Sequence, residues 1–83
     1  MALDDDFQDA VSRSRSLPNQ SNENLLKIYA LYKQATSGDV SGKRPGMLDL
    51  KGRAKYDAWA AQKGKSNEEA KQAYVDLINK LGS

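Results

Sequence analysis

Tyr29, Tyr32 and Lys33 stand at i, i+3 and i+4, a spacing that lets them share a helix face. Lys51, Lys55 and Trp59 form a second row at i, i+4 and i+8. Phenols and ammonium groups facing each other from two helices can hold a phosphorylated aromatic ligand. The ammonium groups would meet the phosphate, and the rings would wall the base. A plainer account also exists, in which the tyrosines are core and the lysine row is solvated surface. Two points favour the ligand. A buried tyrosine hydroxyl needs a partner, and a lysine is almost never fully buried unless paired. Lys33 beside two phenols is therefore expected on a partly wet face that meets an anion.

The charge distribution supports this. Residues 43–65 carry seven Lys and Arg against Asp49 and Asp57, a local excess of +5 inside a chain of net charge +2. The remaining residues are therefore acidic overall. A local excess of this size attracts a small anion without turning the whole protein into a polyanion binder.

Composition excludes several alternatives. Eighty-three residues suit a single domain spanning 1–83. There is no cysteine and no histidine, so no disulfide framework, thiolate site or imidazole site is expected, and no metal. No apolar run reaches the ~20 residues of a membrane span. The acidic start Met1-Ala2-Leu3-Asp4-Asp5-Asp6 does not read as a secretory signal, and no lipidation motif is visible. A soluble cytoplasmic protein without stable membrane insertion is expected, with a monomer as the default. No nucleophile elbow and no Walker-type glycine loop appears, so no catalytic residue and no enzyme is expected.

Four helices must position the two rows, and no strand is apparent. The first is expected over about 3–15, where Leu3, Phe7, Ala10 and Val11 recur with helical period. Its acidic first turn and Arg13 and Arg15 near its end suit the helix dipole, and Pro18 breaks it. The second is expected over about 22–37, capped by Ser21 or Asn22 and closed by Gly38. Leu25, Ile28, Tyr32 and Ala35 form one stripe on it, and Leu26, Tyr29, Ala30 and Lys33 another. The turn-rich loop that follows is too long for a simple connector, and such loops in small domains are often functional or packed onto the body. The third helix is expected over about 49–62 with Asp49 as its cap, tolerating Gly52 at some cost. The fourth, over about 67–81, opens on the capping box Ser66–Glu69 and carries Ala70, Ala73, Tyr74, Leu77, Ile78 and Leu81 at helical spacing. Tyr74 borders that stripe, as core or as a lid on the site, and Arg15 could approach from the other side.

The chain resembles the acyl-CoA-binding protein family. The resemblance is carried by Tyr29 to Thr36, Gly38-Asp39, Arg44-Pro45-Gly46-Met47 and Lys51 to Trp59. Phe7, Ala10, Leu17-Pro18, Lys63-Gly64, Ser66 with Glu69, and Ala73-Tyr74 extend it over essentially the whole chain. It implies an all-α, four-helix up-down-down-up bundle that reversibly binds, buffers and transports medium- to long-chain fatty acyl-CoA thioesters, with no cofactor. Acyl-CoA-using enzymes would be delivery partners, and nucleic acid would not be a partner.

By the same resemblance, Tyr29, Lys33 and Lys55 would hold the adenosine 3′-phosphate, Tyr32 would line the ligand groove and Tyr74 would contact the nucleotide end. Arg15 would assist from the first helix, with Arg13 as its rival. Tyr56 stands where many members carry tryptophan, which keeps an aromatic wall. The alternative is a basic helical interaction module binding nucleic acid or a protein through the third helix. Its binding would fall steeply with salt and ignore an acyl chain.

Overall fold

The computed structural model describes residues 2–82 and forms four helices. These are α1 (Ala2–Ser14), α2 (Asn22–Ser37), α3 (Leu50–Ala60) and α4 (Asn67–Leu81), with no strand among the described residues. Met1 and Ser83, the outermost residues of the expected 1–83 domain, lie outside that range.

Helices α2, α3 and α4 each begin where a side chain satisfies orphan amides. Ser21 Oγ accepts from Asn24 N at 3.1 Å, and Asp49 Oδ1 accepts from Gly52 N at 2.9 Å. Ser66 and Glu69 complete a reciprocal capping box. Gly38, at φ 79°, ends α2 with its amide donating to Gln34 O. A Cβ on Gly52 would run into the Asp49 carboxylate, so glycine inside α3 makes room for the cap. The helix is also shorter than the expected 49–62. Beyond Ala60 the chain tightens into i→i−3 bonds, Gln62 N to Trp59 O and Lys63 N to Ala60 O, before Gly64 turns it at φ 97°.

Helices α1 and α2 both pack on α4, whereas α3 packs on α2 alone. The core lies among α1, α2 and α4 and centres on Phe7, Ala10, Leu31, Ala35, Tyr74 and Ile78. Within α2 the buried face falls on Ala30, Leu31, Gln34 and Ala35. Of the expected stripe, Leu25 is 53% exposed and Tyr32 40%. The physical reason is that α2 has two neighbours: one side serves the core against α4, the other faces α3.

No residue of α3 is buried, so polar ties hold it in place. Arg44 makes a bidentate pair with Asp57 at 2.9 and 2.7 Å. Arg53 Nε donates to Pro45 O, Tyr56 OH to Gly42 O, and Trp59 Nε1 to Gly38 O. The long α2–α3 loop is thus fastened along the outer side of α3.

Asp39 fastens the other end of that loop. Its Oδ1 accepts from Gly64 N and from the amide of the fully buried Gln34, each at 2.9 Å. The Gly64 amide first, then the Gln34 amide, hold the Asp39 carboxyl below the usual carboxylate range. A depressed folded-state pKa stabilises above the unfolded value near pH ~4 and loses that contribution as pH falls through the folded value. Asp39→Ala is therefore expected to lower the thermal midpoint by a few degrees at pH 7. Well below the folded pKa, where Asp39 is already protonated, parent and variant should differ much less, as read by circular dichroism melts at both pH values.

Candidate functional site

The packing of α3 on α2 brings the two rows of the sequence face to face. Lys55 Nζ lies 5.3 Å from the centroid of the Tyr29 ring, and Lys33 Nζ lies 4.9 Å from that of Trp59. Each helix thus sets an ammonium over an aromatic ring of the other. Neither lysine pairs with a carboxylate among the described residues, because the two nearby in sequence are taken: Asp57 binds Arg44 and Asp49 caps α3. The positive excess of this segment therefore stays largely uncompensated at the junction of α2 and α3.

An apolar cleft of about 410 Å³ opens beside the crossed pairs. It is lined by Asn22, Leu25, Leu26 and Tyr29 from α2 and by Leu50, Lys51, Ala54 and Lys55 from α3. Both Tyr29 and Lys55 belong to its wall, so a positively charged rim and an aliphatic trough form one continuous surface. The leucines and Ala54 were not singled out from sequence as ligand contacts. Leu25 and Leu26 fall on the two stripes of α2, and only the packing of α3 on α2 shows that they enclose a cleft with Leu50 and Ala54. A second hollow of about 270 Å³ lies between the α1–α2 link and α2, and Leu25 borders both.

Tyr32 departs from the expected shared face with Tyr29 and Lys33. Its ring sits 6.1 Å from Phe7, stacked, and 6.3 Å from Tyr74, while Phe7 and Tyr74 meet edge-on at 5.2 Å. Tyr32 therefore caps an aromatic cluster shared with α1 and α4, whereas Tyr29 and Lys33 face α3. A three-residue step along a helix falls short of a full turn, and the different neighbours on the two sides of α2 make that offset decisive.

Tyr74 is a core residue, only 2% exposed. Burial raises its phenol pKa, against a side-chain hydrogen bond with Ser14 and the nearby Arg15 that act the other way. Its hydroxyl is thus directed to the end of α1. There the two arginines differ: Arg13 Nε is held by Asp9 at 2.8 Å, whereas Arg15 makes no ion pair among the described residues. Arg15 rather than Arg13 is the cation left available at this end.

The spacing sets Trp59 in one row with Lys51 and Lys55, opposite the tyrosine–lysine face of α2, but the three side chains play different parts. Lys51 and Lys55 line the cleft, and Trp59 both donates to Gly38 O at 2.8 Å and underlies Lys33. The row faces the α2 side of the cleft while Lys51 and Lys55 stay exposed. Tyr56, expected as an aromatic wall, spends its hydroxyl on Gly42 O and fastens the loop. Among the described residues no cluster of carboxylates could hold a metal ion, and no helix is long and apolar enough to cross a membrane.

Comparison with known proteins agrees with this geometry. A family model described as acyl CoA binding protein matches residues 4–78. The acyl-CoA-binding protein of Ricinus communis is 48% identical over 82 residues, covering 98% of this chain and 91% of its own. Acyl-CoA-binding domain-containing protein 1 of Oryza sativa subsp. japonica is likewise 48% identical, with 98% and 90% covered. The crystal structure of Oryza sativa acyl-CoA-binding protein 2 superposes with a TM-score of 0.93 at 45% identity, over 95% of this chain and 89% of that one. With this match the up-down-down-up order of the four helices is settled. The crossed lysine–aromatic pairs and the apolar cleft thus sit in a fold already known from solved relatives, and the chain belongs to the acyl-CoA-binding protein family.

Proposed function

We propose that this chain is a single-domain cytoplasmic carrier that binds medium- to long-chain fatty acyl-CoA thioesters reversibly, buffers them and hands them to acyl-CoA-using enzymes. It acts as a monomer and needs no cofactor. The observation that carries the reading is the pair of uncompensated lysines, Lys33 and Lys55, where α2 meets α3, with Lys55 also in the wall of the apolar cleft between the two helices. A molecule with a multiply charged head and an aliphatic tail fits both parts at once.

In this account Lys33, Lys55 and the Tyr29 hydroxyl hold the adenosine 3′-phosphate. In the unliganded protein each ammonium rests over a ring, an interaction of ~0.5–1 kcal/mol at an exposed site. A charge-assisted hydrogen bond to phosphate contributes roughly 1.5–3 kcal/mol. The phosphate therefore wins both lysines, and the rings serve to keep them extended towards it until it arrives. Arg15 and the Tyr32 ring approach the nucleotide from the side of α1, with Tyr74 fixing Tyr32 from beneath. The tail lies along Leu25, Leu26, Leu50 and Ala54. Nothing in this arrangement attacks the thioester: a chain without histidine or cysteine lacks the usual nucleophile–base pairs. Storage and delivery require no chemistry.

The test is native mass spectrometry of protein purified from its own cells, followed by titration with acyl-CoAs from C8 to C20. A co-purifying acyl-CoA and a one-to-one stoichiometry are expected. Trp59 gives an independent signal, since withdrawal of Lys33 from its ring should change the fluorescence. Affinity that is the same for free CoA and every acyl-CoA would overturn the reading.

A further inference from the structure

The end of α1 carries an alternation of serine and arginine, Ser12-Arg13-Ser14-Arg15-Ser16, of which only Arg15 serves the proposed ligand. The structure separates the three serines. Ser12 lies within the helix, and Ser14 Oγ is spent on Val11 O at 2.6 Å, with the Tyr74 hydroxyl as its other neighbour. Ser16 stands just past the helix end, exposed, and its hydroxyl makes no hydrogen bond among the described residues. Its backbone amide donates to Arg13 O at 3.0 Å, and the next residue, Leu17, packs against the core. The turn is thus fixed while the Ser16 side chain faces water.

Its surroundings suit phosphoryl transfer. Arg13 and Arg15 precede Ser16 by three residues and by one, a charge pattern that complements a kinase whose peptide groove is lined with carboxylates. Residues 17–21 have no regular structure. Arg13 is held by an exposed pair with Asp9, which contributes little, and helix ends fray, so the last turn of α1 can open into such a groove at low cost. A phosphate on Ser16 would lie beyond the C-terminus of α1, where the helix dipole disfavours negative charge. A cation must therefore compensate it. Arg13 already has Asp9, whereas Arg15 adjoins Ser16 and makes no ion pair among the described residues.

We propose that Ser16 is a phosphorylation site for a kinase that selects serines preceded by arginine, and that its phosphate claims Arg15 and so withdraws that cation from the ligand. In the transfer the Ser16 hydroxyl oxygen bonds to the γ-phosphorus of ATP as the bond from that phosphorus to the bridging oxygen breaks. ADP leaves, and the hydroxyl proton passes to a base of the kinase. The new group also brings negative charge to the end of the molecule where Arg15 would meet the nucleotide. The effect on binding rests on the acyl-CoA reading; the modification itself does not, and the two are measured separately.

The full chain is incubated with ATP, magnesium and the catalytic subunit of cAMP-dependent protein kinase, and the product is mapped by tandem mass spectrometry. One phosphate is expected, on Ser16. It should be absent from Ser16→Ala and should accumulate at least about ten-fold more slowly in Arg13→Gln, which loses one charge-assisted contact to the kinase. Ser16 is exposed, so Ser16→Ala should melt like the parent and bind palmitoyl-CoA within about two-fold of it. The phosphorylated chain should bind palmitoyl-CoA about ten-fold more weakly than the unmodified one, the scale of one lost charge-assisted contact. In Arg15→Gln, carried to full phosphorylation, the phosphate should change affinity by less than about three-fold, because the cation it would claim is gone. The site is overturned if the parent stays unmodified or if the phosphate lands on Ser12 or Ser14. The switch is overturned if phosphorylated and unmodified chains bind alike, or if phosphorylation weakens Arg15→Gln as much as the parent. Failure of the acyl-CoA reading would show instead as no binding of palmitoyl-CoA by the unmodified parent, with Ser16 still phosphorylated.

Discussion

Lys33→Ala and Lys55→Ala are each expected to raise the dissociation constant for palmitoyl-CoA by about ten-fold to a hundred-fold. On the proposed reading each removes one charge-assisted contact to the 3′-phosphate worth roughly 1.5–3 kcal/mol, and about 1.4 kcal/mol is a factor of ten. The fold should survive both changes. Lys55 is exposed and Lys33 only half-buried, and neither belongs to the core among α1, α2 and α4. Each variant loses only its own stacking on the opposite ring. Because both lysines address one phosphate, the double variant should lose less than the sum of the two. Isothermal titration calorimetry supplies the affinities, and circular dichroism melts supply the control for folding.

Lengthening the acyl chain from C8 to C16 is expected to tighten binding about a hundred-fold. Full burial of each added methylene would contribute ~0.8 kcal/mol. The cleft does not enclose its contents, however, since Leu25 and Leu50 in its wall are 53% and 73% exposed. A tail lying in it keeps one side towards water unless something covers it. About half the full value is then realised, roughly 3 kcal/mol over eight methylenes. Calorimetry across a series of even-numbered chains measures this slope. A slope near zero would mean that the trough lined by Leu25, Leu26, Leu50 and Ala54 does not receive the tail.

Much of the architecture was legible before any coordinates because local chemistry specifies it. Ser21, Asp49 and the Ser66–Glu69 box start helices, and Gly38 and Gly64 end segments at positive φ. The crossed cluster was legible in part, since spacing alone placed Tyr29 with Lys33 and Lys55 with Trp59. What spacing could not show is which helix each face would meet. Tyr32 and Tyr29 differ by three positions, yet one joins Phe7 and Tyr74 and the other lies under Lys55. That choice belongs to the order of helices in space, in which α2 is shared between α4 and α3.

The cleft was hidden for the same reason. Leu25 and Leu50 each look like core positions on their own helices, and only the docking of α3 on a single neighbour leaves them exposed. Arg13 and Arg15 were indistinguishable from spacing to the ligand. The partner that separates them, Asp9, stands one helical turn before Arg13, so this distinction was present in the sequence as an i, i+4 pair.

The central claim, that Lys33, Lys55 and Tyr29 hold the 3′-phosphate of an acyl-CoA, is tested most directly by a cycle of four titrations. Palmitoyl-CoA and its 3′-dephospho analogue are each titrated into the parent and into the Lys33→Ala, Lys55→Ala double variant. If the lysines act on that phosphate, its removal should weaken binding to the parent by at least about ten-fold and leave binding to the double variant nearly unchanged, a large coupling. Equal losses from phosphate removal in parent and variant would show that the two lysines act elsewhere and would contradict the account.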